Sequence, residues 1–272
     1  MFKAALIFFS FIVFAFAGHA APLSARELAD LAPSGKLRIG INTGNMLLTG
    51  TDPVTGKPRG IAFDLAAELT RRVGIPVEIV TFDSAGKLAA GVKTNAWDVA
   101  FLGIEPERAE GIHFTAPYAE IESTYLVPAG SPLREVADVD RKGVRIAISD
   151  KSAYDLYLSR NLHNANLVRV PGEPGVPGIE GAFNAYVAQK LDALAGLKPV
   201  LIAYADKQPG SRVLAGHISI VKQAIGTPNG RDAGAKYLRE FVEDIKASGL
   251  VAKTLDKNGA RGVLVAPPQA VR

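Results

Sequence analysis

Short apolar runs alternate with amphipathic stretches along most of the chain. Between residues 61 and 74 the side chains of Leu65, Leu69 and Val73 recur at i, i+4 and i+8, the spacing of one buried helical face. Such patterns predict strands at 36–42, 75–82, 98–104, 144–149, 165–170 and 191–196, and helices at 61–74, 84–95, 152–162, 179–190 and 232–247. Because strands that alternate with helices are typical of a parallel sheet covered by helices, we expect an α/β fold.

Turn-forming residues divide this pattern into two α/β units. The stretch 127–132, VPAGSP, is rich in proline and glycine and is typical of a linker. A second polar stretch, 43–60, contains turn signals and predicts a loop or a hairpin after the first strand. The helix at 232–247 begins a C-terminal helical tail that follows the second unit.

The N-terminus has the three-part pattern of a secretory signal peptide. Lys3 precedes the apolar run AALIFFSFIVFAFAG, and small residues follow up to Ala20, where we expect cleavage. The run is shorter than the ~20 residues that span a bilayer, although an uncleaved anchor is the alternative. The 272 residues include no cysteine, so neither a disulfide nor a lipid anchor is expected. We therefore expect a periplasmic protein, without residues 1–20 and not lipid-anchored.

Charge and composition argue against several classes of protein. The formal net charge is +4, from 31 basic and 27 acidic residues without a basic run, so we expect no nucleic-acid partner. The four histidines lack ligand spacing, and no metal site or other cofactor is predicted. The chain contains no GxSxG, P-loop or GxGxxG motif and no pair of acids with a spacing that demands acid–base work, so no catalytic residue is predicted.

Polar and small residues at the ends of the predicted strands are candidates for a binding site. In open α/β sheets, ligands bind beyond the carboxyl ends of the strands. The residues at or just after these ends include Asn42, Asn45, Gly103, Glu105, Arg108, Ser152, Ala153 and Lys198. Each also has a structural explanation, since Asn and Gly favour turns and Ser152 is a typical helix N-cap. The residues alone thus predict an exported two-domain protein with a candidate cleft between the domains.

Six motifs occur in a characteristic order over nearly all of the mature chain: LRIGIN, GIAFDLAAELTRRVG, WDVAF, EPERAEGIHFTAPY, RIAISDKSAYD and QKLDALAG. The most specific are the Phe-Asp helix start in GIAFDLA and the Pro-acid-Arg turn that is followed by Phe-x-x-Pro-Tyr. This order resembles that of the bacterial extracellular solute-binding proteins of family 3, the periplasmic receptors, often for amino acids, of ABC importers.

The resemblance implies a two-lobed periplasmic binding protein fold of type II, in which each lobe is a central sheet flanked by helices. Lobe 1 would comprise 21–126 and lobe 2 would comprise 127–219. The segment 220–272 would return to lobe 1 and add the C-terminal helices. Hinge crossings are expected near 125–128 and 218–224.

The resemblance also implies a role for Arg108, because in amino-acid receptors of this family the arginine of this turn grips the ligand's α-carboxylate. A guanidinium offers a planar fork of donors that matches a carboxylate, and it stays charged. The helix start at Ser152 and Ala153, facing Arg108 from lobe 2, would add N–H donors and a favourable dipole. The alternative is a surface Arg108 that pairs with Glu105 or Glu107.

Three positions depart from the family's pattern. Glu105 stands where a Thr or Ser usually binds the carboxylate, and 45–47 replace an aromatic residue that stacks on the ligand. Lys198, with the two residues before it, stands where an Asp usually holds the α-ammonium. Because a buried ammonium without an anion is costly, Glu105, Glu120 or Glu122 is expected to replace the missing acid.

The resemblance therefore implies a periplasmic receptor that captures a small carboxylate-bearing or zwitterionic solute, an amino acid or a related polar metabolite. It would act as a monomer, close its lobes by hinge motion and deliver the solute to an ABC transporter membrane permease, without enzymatic activity. Two alternatives stay open. One is a periplasmic enzyme on the same fold, similar to cyclohexadienyl dehydratase, with Glu105 beside Arg108 as the acid. The other is a detached sensor input domain.

Overall fold

A computed structural model of the protein describes residues 23–173 and 175–270. The signal peptide that we expect at 1–20 lies outside these residues. The helices are α1 Ala25–Leu31, α2 Ile61–Val73, α3 Ala85–Ala90, α4 Pro106–Ala109, α5 Ala153–Asn161, α6 Gly178–Ala188, α7 Lys198–Ala205, α8 Asp232–Ala247 and α9 Leu250–Lys257. The strands are β1 Leu37–Asn42, β2 Gly50–Thr51, β3 Pro58–Arg59, β4 Val77–Phe82, β5 Val99–Gly103, β6 Ile112–Phe114, β7 Ala119–Val127, β8 Arg145–Ser149, β9 Asn166–Val170, β10 Ala193–Leu197, β11 Arg212–Val213, β12 Ser219–Pro228 and β13 Val263–Val265.

One long sheet connects two parallel sets of strands. Its strand order is β4-β1-β5-β12-β7-β10-β8-β9. In the first set, β1 pairs in parallel with β4 and β5, and in the second set β8 pairs in parallel with β9 and β10. The antiparallel strands β7 and β12 join the two sets, which form the sheets of lobe 1 and lobe 2. The predicted α/β class is confirmed.

Strands β7 and β12 carry the chain between the lobes. Strand β7 pairs with β12 over 119–123 and then with β10 of lobe 2 over 123–126. Ser123 therefore marks the change of partner, and its buried hydroxyl lies 2.9 Å from the hydroxyl of Ser219. This change of partner precedes the crossing that we expect at 125–128. The proline- and glycine-rich stretch at 127–132 lies at and after the end of β7 and does not interrupt it. The lobe boundaries at 126 and 219 stay a prediction.

The helices cover the sheet with the faces that their apolar residues predict. On α2, Leu65, Leu69 and Val73 are all buried, and the helix ends at Gly74 with a φ of +65°. This left-handed conformation is favourable for glycine and terminates helices frequently. The loop predicted at 43–60 contains the short hairpin of β2 and β3. No helix in the described part of the chain is long and apolar enough to cross a membrane.

A buried ion network ties the sheet of lobe 1 to the start of α8. The carboxylate of Asp98, fully buried just before β5, accepts hydrogen bonds from Arg38 Nε at 2.9 Å and from Arg231 Nη1 at 2.9 Å. Burial alone would raise the pKa of Asp98, but the hydrogen bonds from Arg38 and Arg231 hold it below its ordinary value. A buried charge is tolerated only with such partners, so this network is a structural feature of lobe 1.

Candidate functional site

A cavity lies between the lobes at the carboxyl ends of the parallel strands. Lobe 1 contributes the ends of β1, β4 and β5, and lobe 2 contributes the ends of β8 and β10 and the starts of α5 and α6. The cavity offers about 70 Å³ to the centres of water-sized molecules. This is more than the space that a single water needs, so the cavity has room for a small solute. Six of the sequence-predicted residues line it: Asn42, Asn45, Gly103, Arg108, Ser152 and Ala153.

The guanidinium of Arg108 is a buried cation in the cavity wall. Arg108 lies on the single-turn helix α4, which follows β5 closely, and only 5% of it is exposed. Its Nη1 donates to the carbonyl of Gly103 at 2.7 Å, and its Nη2 donates across the cleft to the carbonyl of Lys151 at 2.9 Å. Burial lowers the pKa of Arg108 to about 10, against the opposing effect of nearby Glu105 and Glu107. Arg108 therefore stays charged at neutral pH.

No anion compensates this charge directly. Within residues 23–173 and 175–270, both partners of the guanidinium are neutral backbone carbonyls, and no carboxylate makes an ion pair with it. A buried cation without an anion is unfavourable, because it has lost hydration without gaining a charged partner. The site is therefore complementary to a small anion.

Two helices of lobe 2 begin at the same cavity. Ser152 caps α5 by accepting a hydrogen bond from the N–H of Asp155 at 3.1 Å. The N–H groups of Ala153 and Tyr154, in the first turn of this helix, donate to no other group in the described part of the chain. Helix α6 begins at Gly178 in the cavity wall, so the first N–H groups of two helices point toward the same region. Helix N-termini carry partial positive charge and favour an anion.

Direct contacts between the lobes close the cleft around the cavity. Lys87 of α3 donates to the carbonyl of Gly172 in lobe 2 at 3.1 Å. Gly86 of the same helix packs so closely on Lys151 that a Cβ there would lie 2.7 Å from the Cβ of Lys151. Lys151 itself has a left-handed backbone, with a φ of +54°, and its N–H donates to Asp155 at 2.7 Å. These contacts describe a closed arrangement of the two lobes.

Glu105 neither pairs with Arg108 nor lines the cavity, the two positions that the sequence suggests for it. It lies outside the cavity lining, and its carboxylate accepts a hydrogen bond from Arg160 Nη2 of α5 at 2.7 Å. Arg160 also pairs with Glu107, with Nη1 lying 2.6 Å from Oε2. Burial raises the pKa of Glu105 above its ordinary value, despite the opposing effect of Arg160. Glu105 is therefore half of an ion pair between the lobes.

Glu122 and Lys198 do not meet the cavity that holds Arg108. They pair with each other, Lys198 Nζ lying 2.5 Å from Glu122 Oε2, and they line a second hollow together with Glu120. The reason is the alternation of side chains along a strand. Val221 of β12 lines the central cavity, so its neighbour Ile220 faces the other way, and Ile220 is the residue directly opposite Glu122 in the β7–β12 pair. The structure thus brings six of the nine predicted residues together and separates Glu105, Glu122 and Lys198 from them.

Several cavity residues escaped the sequence analysis. The additional lining includes Asp83, Ser84, Tyr154, Gly178, Ile179, Val200, Val221 and Gln223. The signal for Asp83 and Ser84 was available, because they follow β4 as the predicted candidates follow other strands. Asp83 is the one acid of the lining, and its Oδ2 accepts from Lys87 Nζ at 2.7 Å. No cluster of three His, Asp or Glu side chains suited to a metal ion occurs in 23–173 or 175–270.

Comparison with known proteins gives the same architecture for most of the chain. A mutant of the arginine-binding protein ArgBP from T. maritima superimposes with a TM-score of 0.71 at 20% identity, covering 86% of this chain and 100% of that one. A solute receptor for L-cysteine of Neisseria gonorrhoeae gives 0.71 at 20% identity, covering 86% and 93%. An ancestral amino-acid-binding protein described as a precursor of cyclohexadienyl dehydratase gives 0.68 at 20% identity, covering 85% and 97%.

These similarities confirm the predicted two-lobed periplasmic binding protein fold. None of the curated proteins matches the chain by sequence. The family model described as bacterial extracellular solute-binding proteins, family 3, matches residues 37–260. Because that match spans most of the sequence, including both lobes and the strands between them, the chain belongs to the bacterial extracellular solute-binding proteins, family 3.

Proposed function

We propose that the chain is a periplasmic receptor that captures a small carboxylate-bearing or zwitterionic solute between its lobes and delivers it to the membrane permease of an ABC importer. The observation that carries this proposal is the buried, anion-free guanidinium of Arg108 in a small cavity between two lobes. The solved structures similar to this chain include amino-acid-binding proteins described as bound to lysine, glutamine or arginine, so an amino acid or a related polar metabolite is the solute class we start from.

A ligand carboxylate would supply what Arg108 lacks. Charge-assisted hydrogen bonds between a guanidinium and a carboxylate are about twice as strong as neutral ones, and the planar fork of donors fixes the orientation of the carboxylate. The free N–H groups at the start of α5 would meet the same anion from lobe 2. Because the donors come from both lobes, the ligand would stabilise the closed arrangement over an open one.

The contacts between the lobes support a receptor cycle. In an open form the Lys87–Gly172 and Arg160–Glu105 contacts would be broken, and ligand binding would restore them together. The closed form would then dock on the permease and release the solute there. Export to the periplasm, cleavage after Ala20 and a monomeric state belong to the same proposal.

An enzyme on the same fold is not the function we propose. The sequence favoured it only through an acid, Glu105, placed beside Arg108. In the structure Glu105 pairs with Arg160 and does not line the cavity, so the acid that favoured this alternative does not face a molecule bound there. The ancestral relative described as a dehydratase precursor is itself described as amino-acid-binding. Incubation with prephenate and arogenate tests the point directly, since a receptor leaves both unchanged.

Calorimetric titration of the mature protein with small carboxylic and amino acids tests the receptor proposal. Arg108→Met keeps the length of the side chain and removes its charge, so we expect it to weaken binding by about 100-fold, the value of a charge-assisted pair. Arg141→Met, on the surface of lobe 2 with 59% of its side chain exposed, is the matched control and should bind as the wild type does. Equal affinities of the wild type and Arg108→Met for every solute would contradict the proposal.

A further inference from the structure

We infer that the cavity selects a small organic anion without an ammonium group, such as a 2-hydroxy or 2-oxo carboxylate, over the corresponding α-amino acid. This inference rests on the proposed receptor function and names the ligand class of the same site. It follows from which charges reach the cavity and which are already engaged elsewhere.

The cavity contains one charge that is free to bind a ligand, and that charge is positive. Among the described residues that line it, only Arg108 and Asp83 are ionisable at neutral pH, and the others are apolar, amide, hydroxyl or backbone groups. Arg108 pairs with no acid. A ligand that carries only a carboxylate would leave no charge without a partner, whereas an ammonium would need an acid of its own.

Asp83 already has a cationic partner. Its Oδ2 binds Lys87 Nζ at 2.7 Å, and Lys87 is fixed further by the carbonyl of Gly172 across the cleft at 3.1 Å. The other oxygen, Oδ1, is buried and has no hydrogen-bond partner, so it is closed to an incoming group in this arrangement. An ammonium could therefore share this carboxylate only if the packing that buries Oδ1 opened, or if it displaced Lys87 from Oδ2.

The glutamates that could have replaced the missing acid are also engaged. Glu105 is bound to Arg160, and Glu122 is bound to Lys198 on the other face of the strand. Glu120 lines the second hollow with Glu122 and does not reach the central cavity. None of these three carboxylates therefore lies where an α-ammonium next to the carboxylate on Arg108 could be placed.

The remaining polar groups of the cavity suit a hydroxyl or oxo group. Helices α5 and α6, of 9 and 11 residues, both direct their N-termini toward the cavity, which favours negative over positive charge there. Gln223 is buried in the lining, and its amide makes no hydrogen bond to another described residue. An amide can donate to an oxo group and accept from a hydroxyl, but it carries no charge to hold an ammonium.

Matched pairs of ligands test the inference by titration calorimetry of the mature wild-type protein. The pairs are glycolate and glycine, L-lactate and L-alanine, pyruvate and L-alanine, and D- or L-glycerate and serine. We expect at least one hydroxy or oxo acid to bind, with an affinity about tenfold or more above that of the corresponding amino acid. The reason is that the site pairs the ligand's carboxylate with a cation but offers its ammonium no anion. The comparison within a pair holds the size and the carboxylate constant.

Two variants extend the test. Asp83→Asn removes the acidic side chain of the lining and leaves Lys87 positive. We therefore expect the variant to bind the ligand that carries only a carboxylate about threefold or more tightly than the wild type does. A melting scan checks that the variant folds. The ratio of the affinity for the hydroxy or oxo acid to the affinity for the corresponding amino acid should rise, and this ratio does not depend on the fraction of active protein. Arg108→Met should lower the affinity for every ligand that the wild type binds.

The outcomes separate this inference from the receptor proposal. If an amino acid binds more tightly than its acid partner and Asp83→Asn weakens that amino acid, the receptor stands and the inference is wrong, because Asp83 then holds the ammonium. If the protein binds no member of any pair and native mass spectrometry of the purified protein shows no bound carboxylate, the receptor proposal itself is overturned.

Discussion

Replacing Arg160 should weaken the closed state more than replacing either of its partners. Arg160 of lobe 2 bridges Glu105 and Glu107 of lobe 1, so both of its ion pairs join the two lobes. Arg160→Met keeps the bulk of the side chain and removes both pairs. The perturbation therefore acts on closure and leaves the ligand cavity unchanged.

The magnitude follows from how exposed each group is. The Glu107 side chain is 41% exposed and that of Arg160 34%, so their pair is worth about 0.2–1 kcal/mol. The Glu105 side chain is only 10% exposed, and without Arg160 it becomes a nearly buried acid without a partner, at a cost of about 1–3 kcal/mol. Allowing for solvent at the third of Arg160 that is exposed, we expect about 2 kcal/mol in total. That corresponds to about a 30-fold smaller ratio of closed to open protein.

Glu105→Gln should cost much less than Arg160→Met. Burial raises the pKa of Glu105 although Arg160 is next to it, so the ion pair does not fully offset the carboxylate's loss of hydration. A neutral glutamine amide at this position loses much less hydration free energy on burial. Combining the two substitutions should therefore restore most of the closure that Arg160→Met loses. A raised pKa also fixes the sign of the pH effect: protonation of Glu105 favours the closed form, so the defect of Arg160→Met should shrink as the pH falls through that pKa.

Small-angle scattering of the free and ligand-saturated protein measures the closed fraction, and calorimetry measures the ligand affinity. Glu107→Gln is the control for an exposed pair and should change the affinity by less than about fivefold. If Arg160→Met binds and closes like the wild type, or if Glu105→Gln is the more damaging of the two, the reasoning is refuted.

Three further substitutions have outcomes that the structure specifies. Gly86→Ala places a methyl group 2.7 Å from the Cβ of Lys151, so we expect about tenfold weaker ligand binding by calorimetry, without a lower melting temperature because Ala favours a helix; unchanged affinity would contradict the tight contact. Asp98→Asn removes a fully buried anion that two partly buried arginines share and should lower the free energy of unfolding in urea by about 3–5 kcal/mol; a loss below about 1 kcal/mol would contradict it. Hydrogen bonds, first from Arg71, lower the pKa of Glu68 from 4.5 to about 2, so its stabilising effect is present above pH 4.5 and lost as the pH falls toward 2. Glu68→Gln should accordingly destabilise the protein at pH 7 and not at pH 2, and an equal effect at both would rule out the ion pair as the cause.

The sequence predicted the elements with clear periodicity and missed those without it. The face of α2 and the buried strand β5 follow directly from apolar spacing. Helix α7 was not predicted, because it begins at Lys198 immediately after β10 with no turn residue between them. The long strands β7 and β12 escaped because each changes partner along its length, so no single buried face repeats at every second residue.

The site was predictable as far as local rules apply. Arg108 and the start of α5 follow from strand ends and from a motif, and both line the cavity. The partner of Glu105 had no local signal, because Arg160 lies 55 residues away and meets it only when the lobes are closed. The direction of Glu122 depended on the register between β7 and β12, since a shift of one residue would have turned it into the cavity.

The antiparallel pairing of β7 and β12 has a consequence for rates. The two strands are hydrogen-bonded to each other from the sheet of lobe 1 up to Ser123, where the chain enters lobe 2. A movement of the lobes that only twists this ribbon breaks none of its backbone hydrogen bonds, so the ribbon itself adds little to the barrier. We expect opening and closing in the microsecond to millisecond range typical of hinge motion. For the receptor that we propose, the time that the cleft needs to open would then not limit uptake.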